Sequence, residues 1–110
     1  GNEDLGQMSA WYILSSMGFY SVNPANGIYV LGSPLVESAV ITHKNGLSFK
    51  MTALEYSKGN IYIQKVEYNG KPYTKSYITH EMITNGGELK LYMGSKPSAS
   101  FGVKKEDRPL

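Results

Sequence analysis

The amino-acid sequence opens with Gly1-Asn2-Glu3-Asp4-Leu5-Gly6-Gln7-Met8-Ser9-Ala10-Trp11-Tyr12 and continues to Gly18-Phe19-Tyr20. The apolar residues of Leu5–Met17 predict a helix, and Gly18 is suited to end it because glycine adopts positive φ without steric cost. This helix is apolar almost all the way round, and such a helix requires partners on every side. The rest of the chain is too rich in strand patterns to supply them all. We therefore expect residues 1–24 to belong to a larger helical body, and the chain to be a fragment.

After this segment the hydrophobic period changes to that of β-strands. Asn-Gly pairs between alternating runs are a strong hairpin signal because both residues tolerate positive φ. The predicted strands are Ile28–Leu31, Val36–His43, Leu47–Tyr56, Ile61–Tyr68, Tyr77–Ile78 and Glu88–Met93. The predicted turns are Asn45-Gly46, Ser57-Lys58-Gly59-Asn60, Asn69-Gly70 and Asn85-Gly86-Gly87. The fold class is therefore mainly β, with an N-terminal helix followed by a small antiparallel β-sandwich over residues 25–97.

The run from Ile61 to Tyr68 alternates in a way that predicts which side chains face the core. Ile61, Ile63 and Val66 are expected to point inward, and the change of face after Gln64 indicates a β-bulge.

Two local features follow this run. Thr79 is suited to cap one helical turn over residues 79–82, with Met82 and Ile83 pointing inward. Residues 98–110 are polar, and we expect them to form a frayed tail.

Composition excludes several classes of function. The chain has 110 residues, enough for one domain with a modest core, and its net charge of +2 comes from dispersed lysines, so nothing indicates a nucleic-acid partner. The absence of cysteine excludes disulfides and thiolate metal sites. No apolar run approaches the length of a membrane span. Any targeting signal is expected upstream of Gly1.

The acidic and amide side chains at the start of the predicted helix leave two interpretations open. A carboxylate there can activate water as a general base, and the oxygens of Asn2, Asp4 and Gln7 are of the type that binds a hard cation such as Ca²⁺. Alternatively, Asn2 or Asp4 caps the helix, and the acidic residues complement its dipole.

Aromatic residues and histidines also have two interpretations each. Trp11, Tyr12, Phe19 and Tyr20 form either a sugar-stacking surface or part of the core, and we assign Trp11 and Phe19 to the core. His43 and His80 are predicted to be structural, although His80 is also a candidate ligand or acid. Seven tyrosines in the β region are candidates for a carbohydrate-binding face: Tyr29, Tyr56, Tyr62, Tyr68, Tyr73, Tyr77 and Tyr92.

Longer ordered motifs resemble one family of enzymes. The opening stretch through Tyr12, together with Ser16-Met17-Gly18-Phe19-Tyr20 and Val22-Asn23-Pro24, closely resembles a signature of glycoside hydrolase family 92, the calcium-dependent exo-acting α-mannosidases of gut Bacteroidetes. The resemblance extends to about Pro97 through Tyr29-Val30-Leu31-Gly32-Ser33-Pro34, Asn60-Ile61-Tyr62-Ile63-Gln64, Asn69-Gly70-Lys71-Pro72-Tyr73, Lys75-Ser76-Tyr77-Ile78-Thr79-His80 and Met93-Gly94.

The resemblance implies an architecture and a reaction. Members join an N-terminal β-sandwich to an (α/α)₆ barrel, so residues 1–24 are expected to include a late barrel helix with the active-site edge motif. Residues 25–97 would then form a C-terminal domain that packs against upstream domains of the same polypeptide, and residues 98–110 a polar tail. The implied activity is inverting, Ca²⁺-dependent hydrolysis of terminal α-1,2-linked mannose from glycans.

The resemblance also implies roles for individual residues. The base side of the site lies in the motif matched by Asn2-Glu3-Asp4, and Asp4 is our candidate for the general base or water-orienting residue. Many members carry a second acidic residue where this sequence has Asn2, so Asn2 and Glu3 are assigned only supporting roles. Gln7 is a candidate neighbour of substrate or metal. The catalytic acid and most calcium ligands are expected outside this chain, so the fragment alone is expected to be inactive.

A second interpretation comes from a different class of function. The β region alone fits a non-catalytic β-sandwich module that binds carbohydrate or protein. The family resemblance instead implies a secreted, periplasmic or cell-surface bacterial enzyme.

Overall fold

A computed structural model of the chain describes residues 12–102 and 107–108. Residues 12–16 form helix α1, and a second helix, α2, spans His80–Asn85. The strands are β1 (Phe19–Asn23), β2 (Ile28–Leu31), β3 (Ser38–Thr42), β4 (Ser48–Leu54), β5 (Tyr62–Tyr68), β6 (Lys71–Tyr73), β7 (Tyr77–Thr79) and β8 (Gly87–Gly94). A 3₁₀ turn, Pro24–Asn26, connects β1 to β2. Over the described ranges, no helix is long and apolar enough to cross a membrane.

The strands form two sheets, and the fold is mainly β as predicted. The small sheet has the order β1-β2-β7 and is antiparallel throughout. The large sheet has the order β3-β4-β8-β5-β6.

One strand pair of the large sheet departs from the predicted antiparallel arrangement. Strands β4 and β8 are parallel, with Phe49 opposite Gly87. The reason lies in the C-cap of α2, Gly86, which comes so close to the start of β4 that a Cβ on it would lie 2.8 Å from the carbonyl oxygen of Ser48. Because β8 begins where α2 ends, it enters the sheet beside the start of β4 and runs in the same direction.

All six predicted strands are present, but β1 and β6 were not predicted. Strand β6 has three residues and includes Pro72 at the edge of the sheet, where a missing backbone donor is tolerated. Strand β1 follows the helix terminator Gly18 directly and is short. Neither strand has enough alternating residues to be recognised without its partner.

Helix α2 confirms the predicted helical turn. The Thr79 side chain accepts a hydrogen bond from the backbone nitrogen of Met82 at 3.2 Å, as expected of an N-cap. Ile83 is buried and Met82 packs against the core.

Both sheets contribute to a single hydrophobic core. The rings of Phe19 from the small sheet and Phe49 from the large sheet meet edge to face, with centroids 6.1 Å apart. The buried apolar residues are Met17, Phe19, Leu31, Phe49, Met51, Ala53, Val66, Ile78, Ile83, Leu89, Leu91 and Met93. This burial confirms the assignment of Phe19 to the core, while Trp11 lies outside the described residues.

The inward-facing residues of β5 were predicted in part. Val66 is buried and Ile63 packs against the core, and the pairing with β8 shifts between Ile63 and Lys65, which confirms the bulge. The inward prediction for Ile61 was wrong, because Ile61 precedes the first residue of β5 and is exposed.

The C-terminal segment is packed in its described part, unlike the frayed tail that the sequence predicts. Phe101 packs against the core, and Asp107 is buried. The backbone nitrogen and the hydroxyl of Ser76 both donate to the Asp107 carbonyl oxygen, at 2.7 Å and 2.9 Å. The hydroxyl of Thr74 donates to the Asp107 carboxylate at 3.0 Å. Asp107 thus accepts hydrogen bonds from both Thr74 and Ser76, while the carbonyl oxygen of Ser76 accepts one from the backbone nitrogen of Leu31 at the end of β2.

The predicted division at residue 24 falls within a connected hairpin. Strand β1 ends at Asn23 and pairs with β2 across the 3₁₀ turn. Assignment of residues 1–24 to a larger barrel stays a prediction.

Candidate functional site

The predicted catalytic motif lies outside the described residues. This applies to Asp4, to its supporting residues Asn2 and Glu3, and to Gln7. The structure does describe the elements that follow the motif directly in the chain, namely α1, β1 and the loop after β2.

Helix α1 ends as the sequence predicts. The backbone nitrogen of Met17 donates to the carbonyl oxygen of Ile13, and that of Gly18 to Ser15, each at 3.0 Å. Gly18 has a φ of +88°, a conformation that favours glycine, and it reverses the chain into β1.

The end of α1 is held against the loop that follows β2 by two backbone hydrogen bonds. The nitrogen of Gly32 donates to the carbonyl oxygen of Gly18 at 2.7 Å, and the nitrogen of Leu35 donates to that of Ser16 at 2.8 Å. A Cβ on Gly18 would lie 2.6 Å from the Gly32 oxygen, so the two backbones meet without room for a side chain. We call this pair of hydrogen bonds the helix–loop clamp. The clamp therefore holds the end of α1, the helix that follows the predicted motif in the chain.

The two tyrosines near this clamp are exposed. Tyr12 lies on α1, and Tyr20 on β1 places its ring over the backbone of Gly32, where a Cβ would meet its Cε2 atom at 2.5 Å. Of the two alternatives for these residues, core or surface, the structure therefore favours surface.

The histidines do not form a catalytic or metal-binding group in the described part of the chain. His43 donates from Nε2 to the carbonyl oxygen of Ile83 at 2.8 Å and so ties the β3–β4 hairpin to α2. The Nδ1 atom of His80 lies 3.4 Å from the Tyr29 hydroxyl. Within residues 12–102 and 107–108 there is no group of three or more His, Cys, Asp or Glu residues able to hold a metal ion.

A groove of about 460 Å³ runs between β5, β6 and the C-terminal segment. Two carboxylates line it, those of Glu67 and Asp107, and each accepts a hydrogen bond from a neighbouring side chain. Its other lining residues are Gln64, Lys65, Val66, Pro72, Tyr73, Thr74, Ser100 and Phe101. No local pattern indicates that Asp107 lies here, because its contacts join residues more than thirty positions apart. Both carboxylates of the groove are therefore engaged with neighbouring side chains, Glu67 with Tyr92 and Asp107 with Thr74.

Two tyrosines near the groove have altered acidity. Burial, with smaller effects from Tyr77, Tyr68 and Asp107, raises the pKa of Tyr73 to about 12. The hydrogen bond from the Tyr92 hydroxyl to the Glu67 carboxylate raises the pKa of Tyr92, because loss of the proton would leave two like charges in contact.

The sequence and the fold both match known glycosidases. Residues 1–95 match the family described as glycosyl hydrolase family 92 catalytic domain. A family GH92 α-mannosidase structure from Bacteroides thetaiotaomicron is 42% identical and superposes over 100% of this chain and 15% of its own, with a TM-score of 0.84. A family GH92 inverting mannosidase from the same species, strain VPI-5482, is 40% identical over 98% of this chain and 15% of its own, with a TM-score of 0.85.

A curated relative gives a similar match. A protein of Arthroderma benhamiae, described as an uncharacterized secreted glycosidase, is 34% identical over 112 aligned positions, which cover 99% of this chain and 14% of the relative. The chain thus spans about 15% of the length of the mannosidase structures and 14% of this relative.

Proposed function

Because the chain belongs to glycosyl hydrolase family 92, we propose that it is the C-terminal part of an exo-acting, inverting α-mannosidase that removes terminal α-1,2-linked mannose from glycans such as N-glycans. The observation that carries this proposal is the agreement of sequence and fold over the whole chain with an α-mannosidase, at 42% identity and a TM-score of 0.84. The second mannosidase, which is described as inverting, supports the stereochemical part.

The proposed mechanism places Asp4 on the water side of the scissile bond. Inversion requires a general base and a general acid separated by roughly 6.5–9.5 Å, so that a water molecule fits between the base and the sugar. Asp4 accepts a proton from this water, while Asn2 and Glu3 support its position. The acid, in this proposal, comes from another part of a longer polypeptide. The helix–loop clamp supports the proposal, because its two backbone hydrogen bonds hold the end of α1, the helix that follows the motif in the chain.

Calcium is part of the proposal, with Gln7 as a candidate neighbour of the ion or the substrate. In family terms the ion would bind the mannoside through oxygen ligands. The described residues contain no cluster fit for such an ion, so the proposed ligands lie elsewhere and no step is assigned to the metal.

Two further properties follow from the proposal. The 110-residue chain alone has no turnover, because it lacks the acid and most of the pocket. The longer enzyme is secreted, periplasmic or on the cell surface, and the description of the Arthroderma relative as secreted supports an extracellular location.

The test is release of mannose from α-1,2-mannobiose by the longer enzyme, before and after treatment with a calcium chelator. We expect Asp4→Asn to lower kcat by a factor of about 10²–10⁴ without unfolding the protein, as for loss of a general base. Glu37→Gln is the matched control, since Glu37 is an exposed carboxylate beyond the motif. NMR of the first-formed anomer checks inversion, and α-1,3- and α-1,6-mannobioses check linkage.

Each negative outcome has a distinct meaning. Full activity of Asp4→Asn would return Asp4 to the role of a helix cap. Activity that survives complete calcium removal would reject the metal requirement. Absence of wild-type activity on every α-mannoside would reject the enzyme assignment in favour of a non-catalytic binding module.

A further inference from the structure

We propose that the free edge of β3 pairs antiparallel with the same strand of a second copy of this chain, around a twofold axis at Val40. We call the free side of the strand Ser38–Thr42 the β3 edge. In the described part of the chain, β3 is the outermost strand of the large sheet, with β4 on one side and no strand on the other. Its unpaired backbone groups fit an added extended strand.

Two backbone hydrogen bonds show which residues of β3 bond to β4. The carbonyl oxygen of Glu37 accepts from the nitrogen of Ala53 at 2.7 Å, and the nitrogen of His43 donates to the carbonyl oxygen of Leu47 at 2.8 Å. In an antiparallel ladder, alternate residues of a strand bond to the same neighbour. The intervening residues of even number therefore direct their backbone N–H and C=O groups to the free side. These residues are Ser38, Val40 and Thr42.

The sequence of the β3 edge is self-complementary around Val40. In this register Val40 lies opposite Val40 of the second copy, and Ser38 lies opposite Thr42 of the second copy. Each of these pairs can exchange two backbone hydrogen bonds, as directly opposite residues do in an antiparallel ladder. The side chains match as well, because β-branched pairs and pairs of hydroxyl residues stabilise adjacent strands.

The charges that flank the β3 edge favour the same register. The strand itself has no charged residue, Glu37 precedes it, and His43 and Lys44 follow it. Antiparallel pairing around Val40 places Glu37 opposite His43 of the second copy and beside its Lys44. An acidic residue then lies near a lysine at both ends of the pairing. Parallel pairing in register would instead place Glu37 opposite its own copy, where like charges repel.

Pairing at the β3 edge covers apolar area that a single chain leaves open. Val40 is 48% exposed on the outer face of the sheet. On the inner face, Ala39 and Ile41 pack against the core but are only partly buried. In the proposed register Ala39 lies opposite Ile41 of the second copy, so the core continues across the axis. Because a strand of five residues buries a small area, we expect the dimer to be reversible.

The opposite edge of the large sheet is protected against such pairing. Its strand β6 has three residues and contains Lys71 and Pro72. The lysine opposes strand addition by its charge, and the proline lacks a backbone donor. Strand β3 contains neither residue type, and its pairing with β4 runs without a bulge. Of the two edges of the described sheet, the β3 edge is therefore the one suited to accept a strand.

The test is the oligomeric state of the longer protein that contains this chain, measured by sedimentation velocity over a series of concentrations. We expect a reversible dimer. Val40→Lys places two ammonium groups opposite each other at the axis, so it is expected to raise the Kd of the dimer about tenfold or more. Tyr62→Lys is the matched control, because Tyr62 is exposed on the same sheet but lies on β5, three strands from β3. It is expected to leave the Kd unchanged.

A mixture of two variants tests whether Val40 faces its own copy. Val40→Glu alone is expected to weaken the dimer as Val40→Lys does, because like charges again lie opposite each other. The mixture places opposite charges across the axis, so we expect a heterodimer with a Kd below that of either variant alone. A contact elsewhere on the molecule would not be restored by mixing. Circular dichroism checks that each variant is folded.

Hydrogen–deuterium exchange of the unchanged longer protein provides a readout that needs no variant. We expect peptides that contain residues 38–42 to exchange more slowly at high than at low protein concentration, because their outward amides become hydrogen-bonded in the dimer. Peptides that contain residues 71–73 are the control and are expected to exchange equally at both concentrations.

Four outcomes would overturn the proposal. These are a protein that stays monomeric at every concentration, a dimer that Val40→Lys does not weaken, and a mixture of the two charged variants that associates no more tightly than either alone. The fourth is exchange of residues 38–42 that is equally slow at every concentration, which would show that the edge is covered within one polypeptide. None of these measurements requires turnover, so the proposed function is tested separately.

Discussion

The surroundings of residues 32–36 and the outer face of the large sheet both present side chains to solvent, but of opposite kinds. We use the term loop surface for the exposed side chains at residues 32–36 and on the elements bonded to them, namely Tyr12, Tyr20, Leu35 and Tyr56. On the outer face, the Lys65 ammonium lies 4.4 Å from the centre of the Tyr92 ring, and the Tyr92 hydroxyl donates to Glu67 at 2.9 Å. Glu67 also stands opposite Lys90 in the strand pairing. On the loop surface, Tyr12 and Leu35 leave most of their apolar area exposed.

The difference lies in how apolar side-chain area is covered on each surface. Charged and hydroxyl groups on adjacent strands satisfy each other, and the aromatic ring of Tyr92 is covered by the Lys65 side chain. Leu35 differs, because its carbonyl oxygen accepts a hydrogen bond from Tyr56 while its side chain stays 70% exposed. The outer face thus covers its aromatic ring with the Lys65 side chain, whereas the side chain of Leu35 stays exposed.

The largest expected effect comes from adding a methyl group at the helix–loop clamp, which holds the loop of the loop surface in place. Gly18→Ala places a Cβ 2.6 Å from the Gly32 oxygen at a φ of +88°. We expect a loss of about 2–4 kcal/mol in the free energy of unfolding, since backbone strain adds to a clash with backbone atoms. Urea denaturation measures it. Gly59→Ala is the control, because a Cβ there has no neighbour within 4 Å. Equal losses in both variants would contradict the clamp.

Tyr73 is a half-buried tyrosine, in contrast to the exposed tyrosines of the loop surface. Its pKa is about 12 in the folded chain and 10.0 as the ordinary value, so the folded state favours the neutral hydroxyl. This preference adds to the free energy of unfolding. The contribution is fully present below pH 10 and is lost as the pH rises from 10 to about 12.

Tyr73→Phe removes this part of the pH dependence. The variant also loses the hydrogen bond from the Tyr73 hydroxyl to the Tyr77 carbonyl oxygen, so near neutral pH it is less stable by about 1 kcal/mol. The gap is expected to close or reverse between pH 10 and 12. Urea denaturation across this range measures the free energy of unfolding of the unchanged chain and of Tyr73→Phe. If both chains lost the same amount, Tyr73 would not be the source of this pH dependence.

The smallest effect sharpens the description of the outer face. Glu67→Gln removes the charge that faces the Tyr92 hydroxyl, so the pKa of Tyr92 is expected to fall toward its ordinary value. NMR titration of the Tyr92 ring signals measures this shift. Glu88→Gln is the control, since Glu88 lies on the same strand as Tyr92 and pairs across to Lys50. If Tyr92 had the same pKa in Glu67→Gln and in the unchanged chain, the hydrogen bond to Glu67 would not be the cause of the raised pKa.

Local chemistry made much of the fold predictable from the sequence. The cap at Thr79, the bulge after Gln64 and the turn at Asn69-Gly70 each depend on a few adjacent residues, and each is present. The end of α1 at Gly18 is local in the same sense.

The features that were missed depend on contacts distant in sequence. Insertion of β8 between β4 and β5 is decided by where α2 packs, and burial of Asp107 is decided by residues 74–76. No pattern within either segment reports such a partner. The candidate site rests on the family motif, because the role of Asp4 requires an acid and a substrate from beyond its neighbours, and spacing alone equally fits a helix cap.

The contacts of Asp107 show that the folded part of the chain extends beyond the part that matches the family. The family match ends at residue 95, whereas Asp107 accepts hydrogen bonds from Thr74 and Ser76, just before β7. A protein engineer who cuts at the boundary of the family would remove the acceptor of both hydrogen bonds donated by Ser76 and the Phe101 side chain that packs on the core. A stable excised module should therefore extend at least through Arg108, and a fusion partner should be attached after this residue.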